Sequence, residues 1–472
     1  MRLSAIYAAE TLLPELLVAR ILPFATQFDE IFTSNDPNAV ARRMSLITFA
    51  IRLISAAIVF GSQIILARWM GDFEFGIFVL VWTTAVIAGS LSNFGFSTTL
   101  VRYIPQYRGS GSVDELRGIM LTARLFALVA SSLIAVLGVG LIMHFSESIE
   151  SYYVAPFILG ALTLPMISLG DTLEGMARAH SWPIKALSPT YVVRPTLLLV
   201  FMLGTILAGF KPEAKTALIA AIFATYLTTI FQLLTITNSV DRILPDGPKT
   251  NNYSEWAAVS LPIFLVEGFL YLITNADVLL VGVFLEPNKV AVYYATAKTL
   301  MLVHFVYFAV KAGVAQRYSQ LIHFGEKTEL ERFARSSARW TFWPSLAVGL
   351  VVLVLGKFLL SLFGESFTQG YPLLFILIVG VVLRASIGPA ESLLNMSGNE
   401  RICAVIFGAT LLFSIALGMT LIPFYGLYGA AISVAAAMTF ETIALMFVVR
   451  QRLQIKISIF ADLLPSCAEG QK

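Results

Sequence analysis

ITFAIRLISAAIVFGSQIIL, residues 47–66, decides the class of this protein. The stretch carries a single charge, Arg52. As a helix it is about 30 Å long, the thickness of a bilayer's hydrocarbon core. A water-soluble helix needs a polar face, and these residues cannot supply one. Further stretches of the same kind lie near residues 77–99, 119–143, 153–169, 191–208 and 217–237. After a polar linker they resume near 257–281, 290–313, 341–363, 371–394, 402–423 and 427–449. The pattern predicts an all-α integral membrane protein with about 12 transmembrane helices.

Composition agrees. The 472 residues are 57% hydrophobic and only 13% charged, with a mean hydropathy of +0.81. Soluble domains carry about 25% charged residues. A chain this poor in charge cannot cover itself with polar groups, so membrane lipids must complete its surface. The net charge of +3 is dispersed over connections between spans and implies no nucleic-acid partner. Cys403 and Cys467 both fall on the expected cytoplasmic side, so no disulfide framework is implied.

Basic residues decide the orientation. Arg42 and Arg43 precede the first span, and Arg102, Arg108 and Arg117 follow the second. Arg178 and Lys185 follow the fourth, Arg242 and Lys249 the sixth. Arg317, Lys327, Arg332, Arg335 and Arg339 follow the eighth, Arg401 the tenth, and Arg450, Arg452 and Lys456 the twelfth. The alternate connections are poor in them, with exceptions at Arg68, Lys211, Lys215, Lys289 and Lys357. The bias predicts a multi-pass membrane protein with both termini in the cytoplasm.

The chain also repeats itself. Gly76-Ile77-Phe78 opens the second span as Ala291-Val292-Tyr293 opens the eighth, and Asp171–Met176 closes the fourth as Glu391–Met396 closes the tenth. Six spans per half give halves of the same orientation, parallel repeats about an axis along the membrane normal. The expected units are an N-terminal extension 1–43, a first lobe 44–237, a linker 238–256, a second lobe 257–450 and a tail 451–472. Within the extension, Glu10, Pro14, Glu15, Arg20 and Pro23 interrupt the apolar clusters. It reads either as an amphipathic helix on the membrane or as a dispensable segment, with Met44 an alternative start.

Around the first spans, Ser62–Gly71, Glu74–Phe78, Gly95-Phe96 and Leu100–Tyr107 resemble bacterial polysaccharide-biosynthesis flippases, relatives of the multidrug and toxin extrusion transporters. Arg194-Pro195, Asn275-Ala276-Asp277 and Tyr293–Lys298 extend the likeness, which covers roughly residues 44–450. The resemblance implies two six-helix lobes around a central cavity. It implies transfer of an undecaprenyl-pyrophosphate-linked oligosaccharide from the cytoplasmic to the periplasmic leaflet by alternating access. A polysaccharide polymerase and a chain-length regulator are candidate partners on the same basis.

Charges inside spans cost about 2.5–3.5 kcal/mol each on insertion scales, so each needs a reason. Arg194, next to the helix-loosening Pro195, reads either as a diphosphate ligand or as a side chain snorkelling to headgroups. Arg52 has the same two readings. Arg384 is deeper, and reads as a cavity cation or one half of an internal ion pair. Lys298 reads as a cavity cation or an outer-leaflet snorkel. Arg52, Arg194 and Arg384 fall in the cytoplasmic half, where a basic floor would collect an anionic head group that Lys298 receives further out. Asp277, Glu267 and Glu441 are candidates for ion coupling, or for pairing with those cations. Glu267 and Asp277 stand about 80° apart around their helix. His304 reads as a polar packing or cavity residue, since no other His lies at ligand spacing.

No Gly-rich phosphate loop, nucleophile elbow, CxxC or HExxH occurs, and neither cofactor nor metal site is expected. The chain reads as a transporter and not an enzyme. The rivals are a cation-coupled drug exporter, with an acidic aromatic cavity, and a polymerase or ligase, for which a large periplasmic loop is missing.

Overall fold

A computed structural model describes residues 37–244 and 246–459. The expected extension up to residue 36, and the tail from 460 with Cys467, lie outside the described residues.

The described chain is helical throughout. In order it holds α1 (Pro37–Leu91), α2 (Phe96–Ser110), α3 (Val113–His144), α4 (Ser151–Ala161), α5 (Leu164–Ala179), α6 (Pro183–Ser188) and α7 (Arg194–Leu207). α8 (Ala214–Asp241), α9 (Tyr253–Phe284), α10 (Pro287–His323), α11 (Lys327–Ser361) and α12 (Tyr371–Ala385) follow. α13 (Ala390–Met396), α14 (Glu400–Tyr425) and α15 (Leu427–Leu453) complete the set. By length and composition 10 of the helical stretches can cross a membrane, and α4 with α5, bent by 42°, makes an eleventh crossing. The first stretch, Ile51–Ser110, is 60 residues long, about three bilayer thicknesses if straight. It cannot be one crossing. Gly71, at φ 75° and ψ 172°, breaks it into two, a backbone turn that a side chain would oppose. The result is the twelve crossings expected from the sequence.

Four crossings are interrupted. Span two breaks between α1 and α2, where Phe94 and Gly95 take φ 49° and 79°. Span four bends between α4 and α5. In span five a single π-turn, Pro189–Val193, joins α6 to α7, and the Arg194 N–H reaches back to the Pro189 carbonyl. Pro195 has no N–H to continue the α-helical ladder, which accounts for the looser turn beside it. In span ten the helix stops at Ala385 and restarts at Ala390, with Gly388 at φ 59° in the gap.

Packing between the halves is uneven. Because the spans alternate in direction, the basic connections all lie at one end of the bundle. At the opposite end a single core runs through both halves, from Leu66, Phe75 and Phe78 through Leu218 to Tyr293, Phe363 and Leu374. At the basic end there are two cores. One gathers Leu100, Ile119, Leu173 and Ile236 of the first half with Trp256 from the start of α9; the other gathers Tyr318, Leu330, Leu393, Phe407 and Leu445 of the second.

Polar ties reinforce the shared end. Arg68, an exception to the charge bias, donates from Nε to the Leu362 carbonyl and from Nη2 to the Ser361 carbonyl, each at 2.7 Å. These carbonyls end α11 and have no helical partner, so a guanidinium suits both their lone pairs and the helix dipole. Phe60 meets Phe363 edge-on at 5.6 Å. Gly76 lies so close to α10 that a Cβ would sit 1.8 Å from the Pro287 carbonyl oxygen. Gly76→Ala is therefore expected to separate the halves at this end, at a cost of about 1–3 kcal/mol or more. Labelling of a cysteine placed at Phe75 should rise severalfold in that variant; an unchanged rate would contradict the close approach.

Candidate functional site

A cavity of about 440 Å³ lies within the second half. Its walls come from α9, α10, α12, α13, α14 and α15, with Ser345 of α11. α10 contributes a stripe at helical spacing: Tyr294, Lys298, Met301, His304, Phe308 and Lys311, with Tyr307 beside it. The size suits a ligand of drug or small-saccharide dimensions, and the lining is mostly apolar and aromatic with few polar groups.

Its polar base is an ion-pair network built on the break in span ten. Arg384 ends α12 and Glu391 opens α13, so the interruption lets them face each other although only seven residues separate them. Arg384 Nη2 reaches Glu391 Oε2 at 2.9 Å, and Arg384 Nε reaches Glu441 Oε1 of α15 at 2.8 Å. Arg384 Nη1 also donates to the Gly388 carbonyl in the gap at 3.2 Å. Lys311 Nζ meets Glu391 Oε1 at 3.0 Å, and the Tyr307 hydroxyl donates to the same oxygen. Each charge thus finds an opposite partner, as a low-dielectric site demands.

Higher in the cavity, Asp277 accepts from the Tyr293 hydroxyl at 2.9 Å and from the Val278 N–H at 2.9 Å. Lys298 lies with Nζ 4.8 Å from the centre of the Tyr294 ring and interacts electrostatically with Asp277. Among the described residues it forms no salt bridge. It is the cavity cation left to meet a ligand. His304 bonds only to the Leu300 backbone, in keeping with a packing or cavity role.

The structure brings Arg384, Lys298, Asp277 and Glu441 into one cavity and leaves Arg194, Arg52 and Glu267 outside it. Arg194 belongs to a second polar cluster in the first half. Its guanidinium is 5.5 Å from the Trp82 ring centre and interacts with Asp171, Tyr191, Glu174 and Tyr271. Arg52 is exposed and interacts with Glu174 and Tyr191. Glu267 accepts from the Thr98 hydroxyl across the halves. The expected single basic floor is thus divided between two halves whose cores are separate at that end. Nor is the cavity net basic: Lys298, Lys311 and Arg384 face Asp277, Glu391, Glu400 and Glu441. A buried guanidinium recruits carboxylates, and Arg384 holds two.

Sequence reasoning missed Glu391, Tyr307 and Lys311 as members of the site. The available signal was the repeat, which pairs Glu391 with Asp171, together with Gly388-Pro389, a helix-breaking pair beside a membrane-embedded arginine.

The sequence matches the family described as polysaccharide biosynthesis protein over residues 41–315, and a second, MatE, over 262–420. A Shigella flexneri protein named as an O-antigen transporter is 24% identical over 390 residues, 78% of this chain and 88% of that protein. The lipid II flippase MurJ, in an inward closed conformation, superposes with a TM-score of 0.67 at 13% identity, over 86% of this chain and 87% of its own. An inward-facing multidrug resistance MATE transporter of the MOP superfamily gives a TM-score of 0.66 at 15% identity, over 86% of this chain and 94% of its own.

Proposed function

The chain belongs to the polysaccharide biosynthesis protein family, and from that membership we propose that it flips an undecaprenyl-pyrophosphate-linked oligosaccharide across a bacterial inner membrane. It is a membrane transporter of the MOP superfamily and not an enzyme. The direction in this reading, cytoplasmic to periplasmic leaflet, is the one the family likeness implies, and the charge bias of the connections supports an orientation with both termini in the cytoplasm.

Lys298 carries the reading. A pyrophosphate is insoluble in lipid, and a cation engaged in no salt bridge, held in a cavity at membrane depth, is costly unless a ligand uses it. Arg384 then serves as the keystone of the site, its donors already engaged by Glu391 and Glu441. Arg194 and Arg52 line the first half's side of the path from the basic end. Asp277 and Glu267 are the carboxylates left for coupling to an ion, because Glu441 is committed to Arg384. The shared core at the opposite end and the divided cores at the basic end match a state that takes up cargo from the cytoplasm.

Four carboxylates among the cavity charges favour one competing reading, a cation-coupled exporter of cationic compounds. Reconstituted vesicles separate the two. Flipping of a fluorescent polyprenyl-diphosphate saccharide, with no extrusion of a cationic dye, is the expected result; dye extrusion without lipid flipping would reverse the assignment.

A further inference from the structure

The chain leaves α15 through Gln454, at φ 56°, and returns along the second half as an extended segment, residues 454–459. Ile455 and Ile457 are 1% and 2% exposed, in the core that holds Tyr318, Leu330 and Cys403, while Lys456 between them is exposed. This is the two-residue period of a strand with one buried face.

The segment's backbone is tied at both ends. The Lys456 N–H donates to Glu331 Oε1 at 3.3 Å, and its carbonyl accepts from Arg335 Nε at 3.1 Å, both residues of α11. Further on, the Ile459 N–H donates to the Ser386 carbonyl at 3.2 Å. Ser386 is buried and is the first residue of the gap in span ten. A continuous helix would satisfy its carbonyl through the N–H of Ala390, but that group bonds the Gly388 carbonyl instead, at 2.9 Å. A buried carbonyl left unpaired in a broken span is unfavourable, so the returning segment supplies what the broken helix lost. On the other side of the gap, a Cβ on Gly388 would lie 2.9 Å from Ala338 Cα of α11. The gap is therefore held between α11 and the returning segment.

We propose that residues 454–459 form a strap that positions α13, and with it Glu391, for transport. Ile459 is a positioning residue: it acts through Ser386 and touches no cargo. The transport half of this proposal rests on the flippase reading, whereas the clamping half does not.

Ile459→Pro deletes the N–H and Ile459→Val keeps it, which isolates the one bond. In a Cys467→Ser background Cys403 is the sole thiol, and it both sits in the strap's core and lines the cavity. Its labelling by a maleimide in folded, detergent-purified protein reports clamping without any cargo. Flipping of the polyprenyl-diphosphate probe per folded molecule reports transport. Ile459→Pro should raise the labelling rate at least fivefold and lower flipping at least fivefold, with Ile459→Val at the wild-type value for both. Ile457→Ala, a milder loosening, should move both readouts in the same direction. Wild-type labelling in Ile459→Pro overturns the strap, as does faster labelling with wild-type flipping. If the parent protein itself flips nothing, the flippase reading fails and the labelling arm alone decides the strap.

Discussion

Arg384→Leu is expected to destabilise the folded protein by about 3–5 kcal/mol, because it strands two buried carboxylates. Glu391 and Glu441 have side chains only 6% and 11% exposed, and Arg384 bonds both. Lys311 still reaches Glu391, but Glu441 keeps no other salt-bridge partner among the described residues. Unfolding of purified protein in detergent, followed by intrinsic fluorescence, measures the loss. The triple variant Arg384→Leu, Glu391→Leu, Glu441→Leu should recover most of it, since well-packed apolar groups replace a buried ionic network at little net cost. A single variant as stable as the parent would show that the network does not close as described. Recovery of stability without recovery of flipping in the triple variant would mark the network as a part of the site and more than a staple.

Lys298→Ala should behave in the opposite way, leaving the fold intact and cutting flipping efficiency by about 10- to 150-fold. That range is the loss of one hydrogen bond to a charged group, about 1.5–3 kcal/mol. The side chain rests on Tyr294 and forms no salt bridge among the described residues; Asp277 would lose its attraction but keep its hydrogen bonds from Tyr293 and the Val278 N–H. Lys298→Arg keeps the charge and should retain most of the activity. Flipping by Lys298→Ala at the parental rate would remove the cation from the cargo site and with it the observation on which the proposed function stands.

What was legible differs between fold and site. Twelve apolar stretches follow from local composition, since a span must satisfy its own backbone and face lipid along its length. The breaks were half legible. Pro195 announced a loosened helix, and the π-turn beside it is that loosening. Gly388-Pro389, passed over in the sequence, carried a similar signal for a gap, but nothing local says that Arg384 and Glu391 then turn toward each other. Arg68 looked like an anomaly of the charge bias until its partners, the carbonyls of Ser361 and Leu362, came from nearly 300 residues away.

The sequence by itself determined the class, the number of crossings and the twofold repeat, because these depend on hydropathy and spacing along one segment at a time. Tertiary structure alone decided which charges are spent and which remain free. Arg194, Arg384 and Lys298 look alike in a hydropathy profile, yet the first lies with Asp171, the second is saturated by two carboxylates, and the third faces an open cavity. The energy of a buried charge is set by the partners within a few ångströms, and those partners arrive from other helices.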